Sequence, residues 1–283
     1  APCFGAHTSY RNDIHVVSRF MSFRHYGCFF IFNACGPPHP ACLRWAVNIS
    51  RWHPSDDHDG PEFRFLLALL PEHEREECLR FRFMDDKKRA LVSRLMQRAA
   101  CARVAGVPHA DVLLRRTKGK KPFFAWTEMA GFDADAAGFG AAPNFNFNVS
   151  HEGAFVVLAS EPVAIVGVDV AAPGQLRDRN RSTNAARSVA ETVSAFRDTL
   201  SGAETSAILR NATEAEKEDA FRRHWSCKEA LTKAMGVGLG MELKRASFTF
   251  AKRSSETSNY SPKVAHTGCV RVGRRRTVRR TKV

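Results

Sequence analysis

Phe221-Arg222-Arg223-His224-Trp225-Ser226-Cys227-Lys228-Glu229-Ala230-Leu231-Thr232-Lys233 is the stretch from which the rest of the chain can be read. Its residues favour a helix. On a helix Trp225, Glu229 and Lys233, each four positions apart, stack an aromatic ring, a carboxylate and an ammonium along one face. Gly236-Val237-Gly238-Leu239-Gly240 supplies a glycine-rich stop directly afterwards. Spacing alone also fits an ordinary surface helix whose Glu229/Lys233 pair adds about 0.2–0.5 kcal/mol.

Upstream, Asn144-Phe145-Asn146-Phe147-Asn148-Val149-Ser150-His151-Glu152-Gly153 runs into the apolar, β-rich segment Ala154-Phe155-Val156-Val157-Leu158-Ala159-Ser160. A turn at Glu161-Pro162 leads to Val163-Ala164-Ile165-Val166-Gly167-Val168-Asp169-Val170. The two apolar runs predict a hairpin carrying one acid at its far end. An acid in an apolar strand costs free energy unless it is paired or holds a metal, so Asp169 needs a partner.

Three blocks in this order, Asn148-Val149-Ser150-His151-Glu152-Gly153, Val166-Gly167-Val168-Asp169-Val170 and Trp225-x-x-Lys228-Glu229-x-x-x-Lys233 with its glycine run, resemble the Sfp-type phosphopantetheinyl transferases. The resemblance is greatest to the eukaryotic aminoadipate-semialdehyde dehydrogenase-phosphopantetheinyl transferase branch. It begins near Leu43-Arg44-Trp45 and fades after Ser247-Phe248-Thr249-Phe250. It implies an α+β fold: two similar α/β subdomains packed in pseudo-twofold fashion, with the active site at their interface. The expected division is 1–42 as an unassigned extension, 43–153 and 154–250 as the two subdomains, and 251–283 as a basic, disordered tail.

The resemblance also implies a reaction, the Mg²⁺-dependent transfer of the 4′-phosphopantetheine arm of coenzyme A to a serine of a carrier protein domain, releasing adenosine 3′,5′-bisphosphate. Glu229, or a water it orients, takes the serine proton, and Lys233 faces the leaving phosphate. Asp169 and Glu229 are the implied metal ligands, with Glu152 as a third. The bacterial members carry an acid two residues beyond the Asp, where this chain has Ala171. Coenzyme A is a polyanion and needs fixed cations and donors. By the same resemblance these are Arg75, Arg89, the loop Arg116-Thr117-Lys118-Gly119-Lys120-Lys121-Pro122, Asn148, Ser150, His151 and Lys228, the last of which points to another side of the helix and either reaches the pyrophosphate or pairs with a carboxylate. In that loop Lys120 stands where the family has glycine, so either Gly119 takes over the tight turn or the loop is displaced by one residue.

Composition fits an enzyme of this size. The 283 residues suffice for one long domain or two packed subdomains. Apolar periodicity predicts a helix from Lys87 to Val104 that buries Leu91, Leu95, Met96, Ala99, Ala100 and Val104, with Arg89, Arg94 and Arg98 on other sides. No apolar run approaches the roughly 20 residues of a membrane span. Eight scattered cysteines without a Cys-x-x-Cys pair argue against a zinc site, and with no recognisable signal peptide they suggest reduced thiols in the cytosol. The tail 251–283 holds ten Lys/Arg against one acid, about +9 of the net +14. Such a run binds nucleic acid or is simply solvated. The expected partner is instead an apo acyl or peptidyl carrier domain of a fatty-acid or polyketide synthase or of the aminoadipate reductase of lysine metabolism. Arg177, Arg179 and Arg181 suit its acidic helix, the alternative for their segment being a flexible solvated loop. A monomer is expected. The competing readings are a catalytically impaired carrier-binding relative and a nucleic-acid-binding protein acting through the tail.

Overall fold

In the computed structural model the described residues are 40–133, 142, 144–172, 188–236 and 242–250, with the strand segments 17–18, 21–23, 27–33 and 270–272. Four strands come first, β1 (Val17–Ser18), β2 (Met21–Phe23), β3 (Gly27–Asn33) and β4 (Arg44–Asn48). The helices α1 (Pro61–Ala68), α2 (Glu72–Leu79) and α3 (Met84–Ala105) follow, then β5 (Leu114–Arg116) and β6 (Pro122–Phe124). Three longer strands, β7 (Asn146–Glu152), β8 (Phe155–Glu161) and β9 (Gly167–Ala171), precede α4 (Val189–Ala195), α5 (Gly202–Leu209) and α6 (Glu214–Met235). The last described strands are β10 (Ala246–Phe248) and β11 (Val270–Val272). The expectations for Arg177, Arg179 and Arg181, for the glycine run beyond Gly236, and for most of both termini lie outside the described residues.

The fold is α+β with antiparallel sheets, and its element order repeats. In each half two helices of seven or eight residues precede one of 22. Each long helix stops at a left-handed glycine, Gly106 (φ 67°) or Gly236 (φ 68°), and a pair of short antiparallel strands comes next. One difference lies in the helix starts. α4, α5 and α6 each open with a complete capping box, Ser188/Glu191, Ser201/Glu204 and Thr213/Glu216.

The expected hairpin is displaced by one strand. β8 pairs with β7 and with β4, whereas β9 leaves to pair with β3. The register Glu152↔Phe155 leaves only two residues for the β7–β8 turn, and Gly153 supplies its positive φ of 55°. That glycine is the true turn signal, not Glu161-Pro162. The strand bordering β9 comes from the segment the sequence leaves unassigned, and β11, paired with β10, falls inside the segment expected to be a disordered tail.

The predicted apolar stripe of α3 is its packing face: Leu91, Met96 and Ala100 are buried, the last two against Phe147, Val156 and Leu158 of the β4-β8-β7 sheet. Arg98 is also buried on α3, where it meets the Glu74 carboxylate at 3.3 Å and the carbonyls of His109 and Val112. α6 turns small residues inward, Cys227, Ala230 and Ala234. This permits an unusually close approach to β9: a Cβ added at Gly167 would stand 2.0 Å from the Ala230 carbonyl oxygen and 2.6 Å from the Ala234 nitrogen.

The other side of α6 is locked by buried charge. Lys228 Nζ, fully buried, donates to Glu204 Oε2 of α5 (2.9 Å) and to the carbonyls of Leu243 (3.0 Å) and Ala246 (2.7 Å). Glu204 also accepts from the Phe248 amide and caps its own helix through the Ser201 amide. Burial alone would raise the Glu204 pKa from 4.5, but the donors around it, His224 and Lys228 first, bring it down to about 2.

Two outcomes follow from this packing. Gly167→Ala should destabilise the protein by about 1–3 kcal/mol or more, since the added methyl meets backbone rather than a movable side chain, read as a lower urea midpoint. Glu204 has a depressed folded-state pKa, so its stabilisation is complete above 4.5 and drains away as pH falls toward about 2. Glu204→Gln should lose about 3–5 kcal/mol at neutral pH and lack that part of the acid unfolding limb, measured by denaturation across pH.

Candidate active site

Strand β7 presents a period-two row of polar side chains to β9. Asn146 Oδ1 accepts from the Val166 amide and Asn148 Oδ1 from the Val168 amide, both at 2.9 Å. Two residues on, Ser150 Oγ donates to Asp169 Oδ1 at 3.1 Å. The side chains thus stitch β9 alongside β7 where no backbone ladder joins them, and the row ends on the acid.

Asp169 is two residues beyond Gly167 on the same strand face and therefore meets α6 where the helix lies closest. It is only 6% exposed, and its partner is Lys233, whose Nζ lies 2.6 Å from Asp169 Oδ1 and 2.9 Å from Ser150 Oγ. Glu229 lies one turn back on α6. Burial and then the Asp169 charge push its carboxyl above the ordinary value, with Lys233 pulling the other way. Glu152 accepts from the Ala172 amide, and burial again raises its carboxyl. His151 is pushed down from 6.5 by burial, then by the charges of Arg89 and Lys233, so its ring is neutral at pH 7.

These residues form the wall between two cavities. A basic groove of about 590 Å³ is lined by Arg94, Arg116, Lys120, Lys121 and Lys233 among others, and an adjoining cavity of about 360 Å³ by Glu152, Asp169, Trp225 and Arg222 among others. Ser150, His151, Glu229 and Lys233 line both.

Of the expected binding residues, Arg116, Gly119, Lys120, Lys121, Pro122 and Asn148 also line the groove. In the loop the Lys120 amide donates to the Thr117 carbonyl (2.8 Å), and Lys120 itself takes the left-handed conformation, φ 64°. Lys120 does the glycine's work, and Gly119 does not take over the turn. A Cβ at Gly119 would come within 3.3 Å of the Gly236 carbonyl oxygen, a tight contact. Lys121 Nζ donates to the carbonyls of Val166 (3.2 Å) and Ala234 (3.5 Å), and burial lowers its pKa.

Five expected residues line neither cavity. Thr117 closes the turn through its hydroxyl, Lys118 is exposed, and Arg75 on α2 faces elsewhere with its Nε buried and unpartnered. Arg89 is spent on the Gly153 carbonyl and on Asp86 (2.7 Å), holding the β7–β8 turn. Lys228, about 100° round the helix from Glu229, points into the buried Glu204 site instead. Among the described residues no group of three or more His, Cys, Asp or Glu is drawn close enough to hold a metal ion by itself. Phe81, Ser93, Arg94 and Gln97 also line the groove and were not among the expected binding residues, although the polar spacing 93/94/97 on one face of a helix was available as a signal.

Comparisons with known proteins agree along most of the chain. Residues 50–163 match the family model "4′-phosphopantetheinyl transferase, N-terminal" and 165–272 the model "4′-phosphopantetheinyl transferase superfamily". The L-aminoadipate-semialdehyde dehydrogenase-phosphopantetheinyl transferase of Rattus norvegicus is 32% identical over 222 residues, 78% of this chain and 65% of that protein. The human protein of the same name is 32% identical over 76% of this chain and 62% of its own length. The phosphopantetheinyl transferase of Thraustochytrium sp. is 34% identical over 77% of this chain and 68% of its own. The chain thus spans just under two thirds of the mammalian relatives. A crystal structure of Helicobacter pylori holo-[acyl-carrier-protein] synthase in complex with coenzyme A covers 45% of this chain and 97% of its own, at 16% identity and a TM-score of 0.29, too low to support any residue correspondence. With two consecutive family models covering its two halves and the Thraustochytrium relative aligned over more than two thirds of its length, the chain belongs to the 4′-phosphopantetheinyl transferases.

Proposed function

We propose that this chain moves the 4′-phosphopantetheine arm of coenzyme A onto a serine hydroxyl of an apo acyl or peptidyl carrier domain, releasing adenosine 3′,5′-bisphosphate. The observation that carries this reading is the shared wall. A basic groove suited to a nucleotide and a carboxylate-lined cavity meet at Ser150, His151, Glu229 and Lys233. The groove's cations suit the nucleotide phosphates, with backbone and hydroxyl donors beside them.

The donor set suits Mg²⁺. Asp169 and Glu229 line one cavity and their charges interact, and Mg²⁺ takes one or two protein carboxylates, with substrate phosphates and waters completing the shell. Glu152 lines the same cavity but is hydrogen-bonded to the Ala172 amide, so we assign it a supporting place. When bound, the ion supplies positive charge to the pyrophosphate. Within the protein, Glu229 or a water it orients accepts the proton of the carrier serine, worth about 10²–10⁴-fold. Lys233 exchanges its contact with Asp169 for the leaving phosphate. The neutral His151 ring donates a hydrogen bond without adding charge. No helix among the described residues is long and apolar enough to cross a membrane, and the reading has the chain act as a cytosolic monomer on carrier domains of fatty-acid, polyketide or aminoadipate-reductase type.

Asp169→Ala and Glu229→Gln should each reduce carrier loading more than about 10²-fold. The measurement is intact mass of an apo carrier after incubation with Mg²⁺ and coenzyme A, where the unmodified chain adds one phosphopantetheine. Near-normal loading by either variant would refute the assignment of the two acids.

A further inference from the structure

The second cavity has a lining that the mechanism above does not use. Apart from the shared wall and the acids Glu152 and Asp169, it is walled by Val170, Ala171, Ala172 and Trp225, with Arg222 among them. Arg222 and Lys233 are the two Lys/Arg residues on this lining, and only Arg222 belongs to this cavity and not to the groove.

The Arg222 guanidinium is poorly satisfied where it stands. Its contacts are all long: 3.5 Å to the Ala171 carbonyl, 3.5 Å to Asp219 and 3.7 Å to Glu218. Its Nε–H is buried without a hydrogen-bond partner, although the side chain is only 11% exposed. Asp219, the better placed of its acidic neighbours, is held more closely by Arg223 at 2.5 Å. A buried, half-paired guanidinium is costly to maintain. It is also the fork that binds a phosphoryl group through two parallel N–H bonds.

Building on the function proposed above, we infer that Arg222 is a catalytic residue that holds the transferred phosphoryl group, from the side opposite the nucleotide. The substrate then lies across the shared wall with the nucleotide in the basic groove, and the amphipathic pantetheine arm leaves along Val170, Ala171, Ala172 and Trp225. As the serine oxygen–phosphorus bond forms, the bond from that phosphorus to the oxygen of the nucleotide's 5′-phosphate breaks. The serine proton goes to Glu229. Arg222 exchanges no proton and balances the charge on the phosphoryl oxygens, while Lys233 balances the leaving group.

The test compares Arg222→Gln and Arg222→Lys with the unmodified chain, using transfer kinetics on an apo carrier and calorimetric binding of adenosine 3′,5′-bisphosphate, which fills only the groove. Arg222→Gln should lower kcat about 10²-fold, the scale of losing one preorganised charge-stabilising donor, and leave adenosine 3′,5′-bisphosphate affinity within about twofold. Arg222→Lys should recover part of kcat, because charge returns without the fork. Unchanged kcat with a raised KM for the carrier alone would overturn the inference, assigning Arg222 to the carrier surface. Loss of adenosine 3′,5′-bisphosphate binding in both variants would overturn it as well, since the role would then be structural. An unmodified chain that binds adenosine 3′,5′-bisphosphate and loads no carrier would sink the transfer reading itself, and this inference with it.

Discussion

The site depends on how closely α6 lies on β9. At Gly167 the helix backbone occupies the volume a side chain would need, so the distance between the two elements is set by main chain against main chain. Nothing softer could fix it as well. A side chain repacks, whereas a carbonyl oxygen in a hydrogen-bonded helix cannot move without moving its turn. Asp169, two residues along the strand, inherits that precision and meets Lys233 at 2.6 Å. The small residues Ala230 and Ala234 on the helix are the other half of the constraint, and the buried Lys228–Glu204 pair on the far side prevents the helix from rolling away.

Much of this was legible in the residues because it rests on periodicity. The four-residue spacing of Trp225, Glu229 and Lys233 puts all three on one face, and all three line the second cavity. The alternation from Asn144 to Ser150 encodes a strand whose polar side chains share a face, and that face stitches to β9. The demand that Asp169 find a partner followed from the cost of an unpaired buried acid. What stayed hidden were the long-range choices. Apolar runs 154–160 and 163–170 look alike, and only the two-residue turn at Gly153 decides that β8 pairs back to β7 and leaves β9 for β3. Of the two roles open to Lys228, phosphate ligand or partner of a carboxylate, the second holds, but the acid, Glu204, is 24 residues away and could not be named from spacing. Glu204 is also a helix cap, and it serves both purposes at once.

Charge in this molecule is sorted by depth. The groove cations Arg116 and Lys120 are exposed and screened by water. Lys121 is the exception on the same loop, its ammonium turned inward onto the carbonyl ends at Val166 and Ala234. It joins the loop to the C-terminus of α6 and to the approach of β9, so the basic loop is fixed to the same two elements that carry the acids. Helix lengths repeat in the two halves, and the loop after α3 and the face of α6 both line the groove.

The contact between Lys233 and Asp169 also explains how a buried acid is tolerated before any substrate arrives. An uncompensated carboxylate at this depth is costly, and burial pushes the carboxyls of Glu229 and Glu152 upward. Asp169 has an ammonium and a hydroxyl on one of its oxygens. Lys233 reaches it from the exposed side, at 31% side-chain exposure against 9% for the acid, so the ammonium is the mobile member of the pair. Under the function proposed above, a phosphate entering the groove would offer that ammonium a second anion, since Lys233 lines both cavities. On that reading binding would exchange one ion pair for another rather than desolvate a free charge, leaving Asp169, held by Ser150, on the lining of the second cavity.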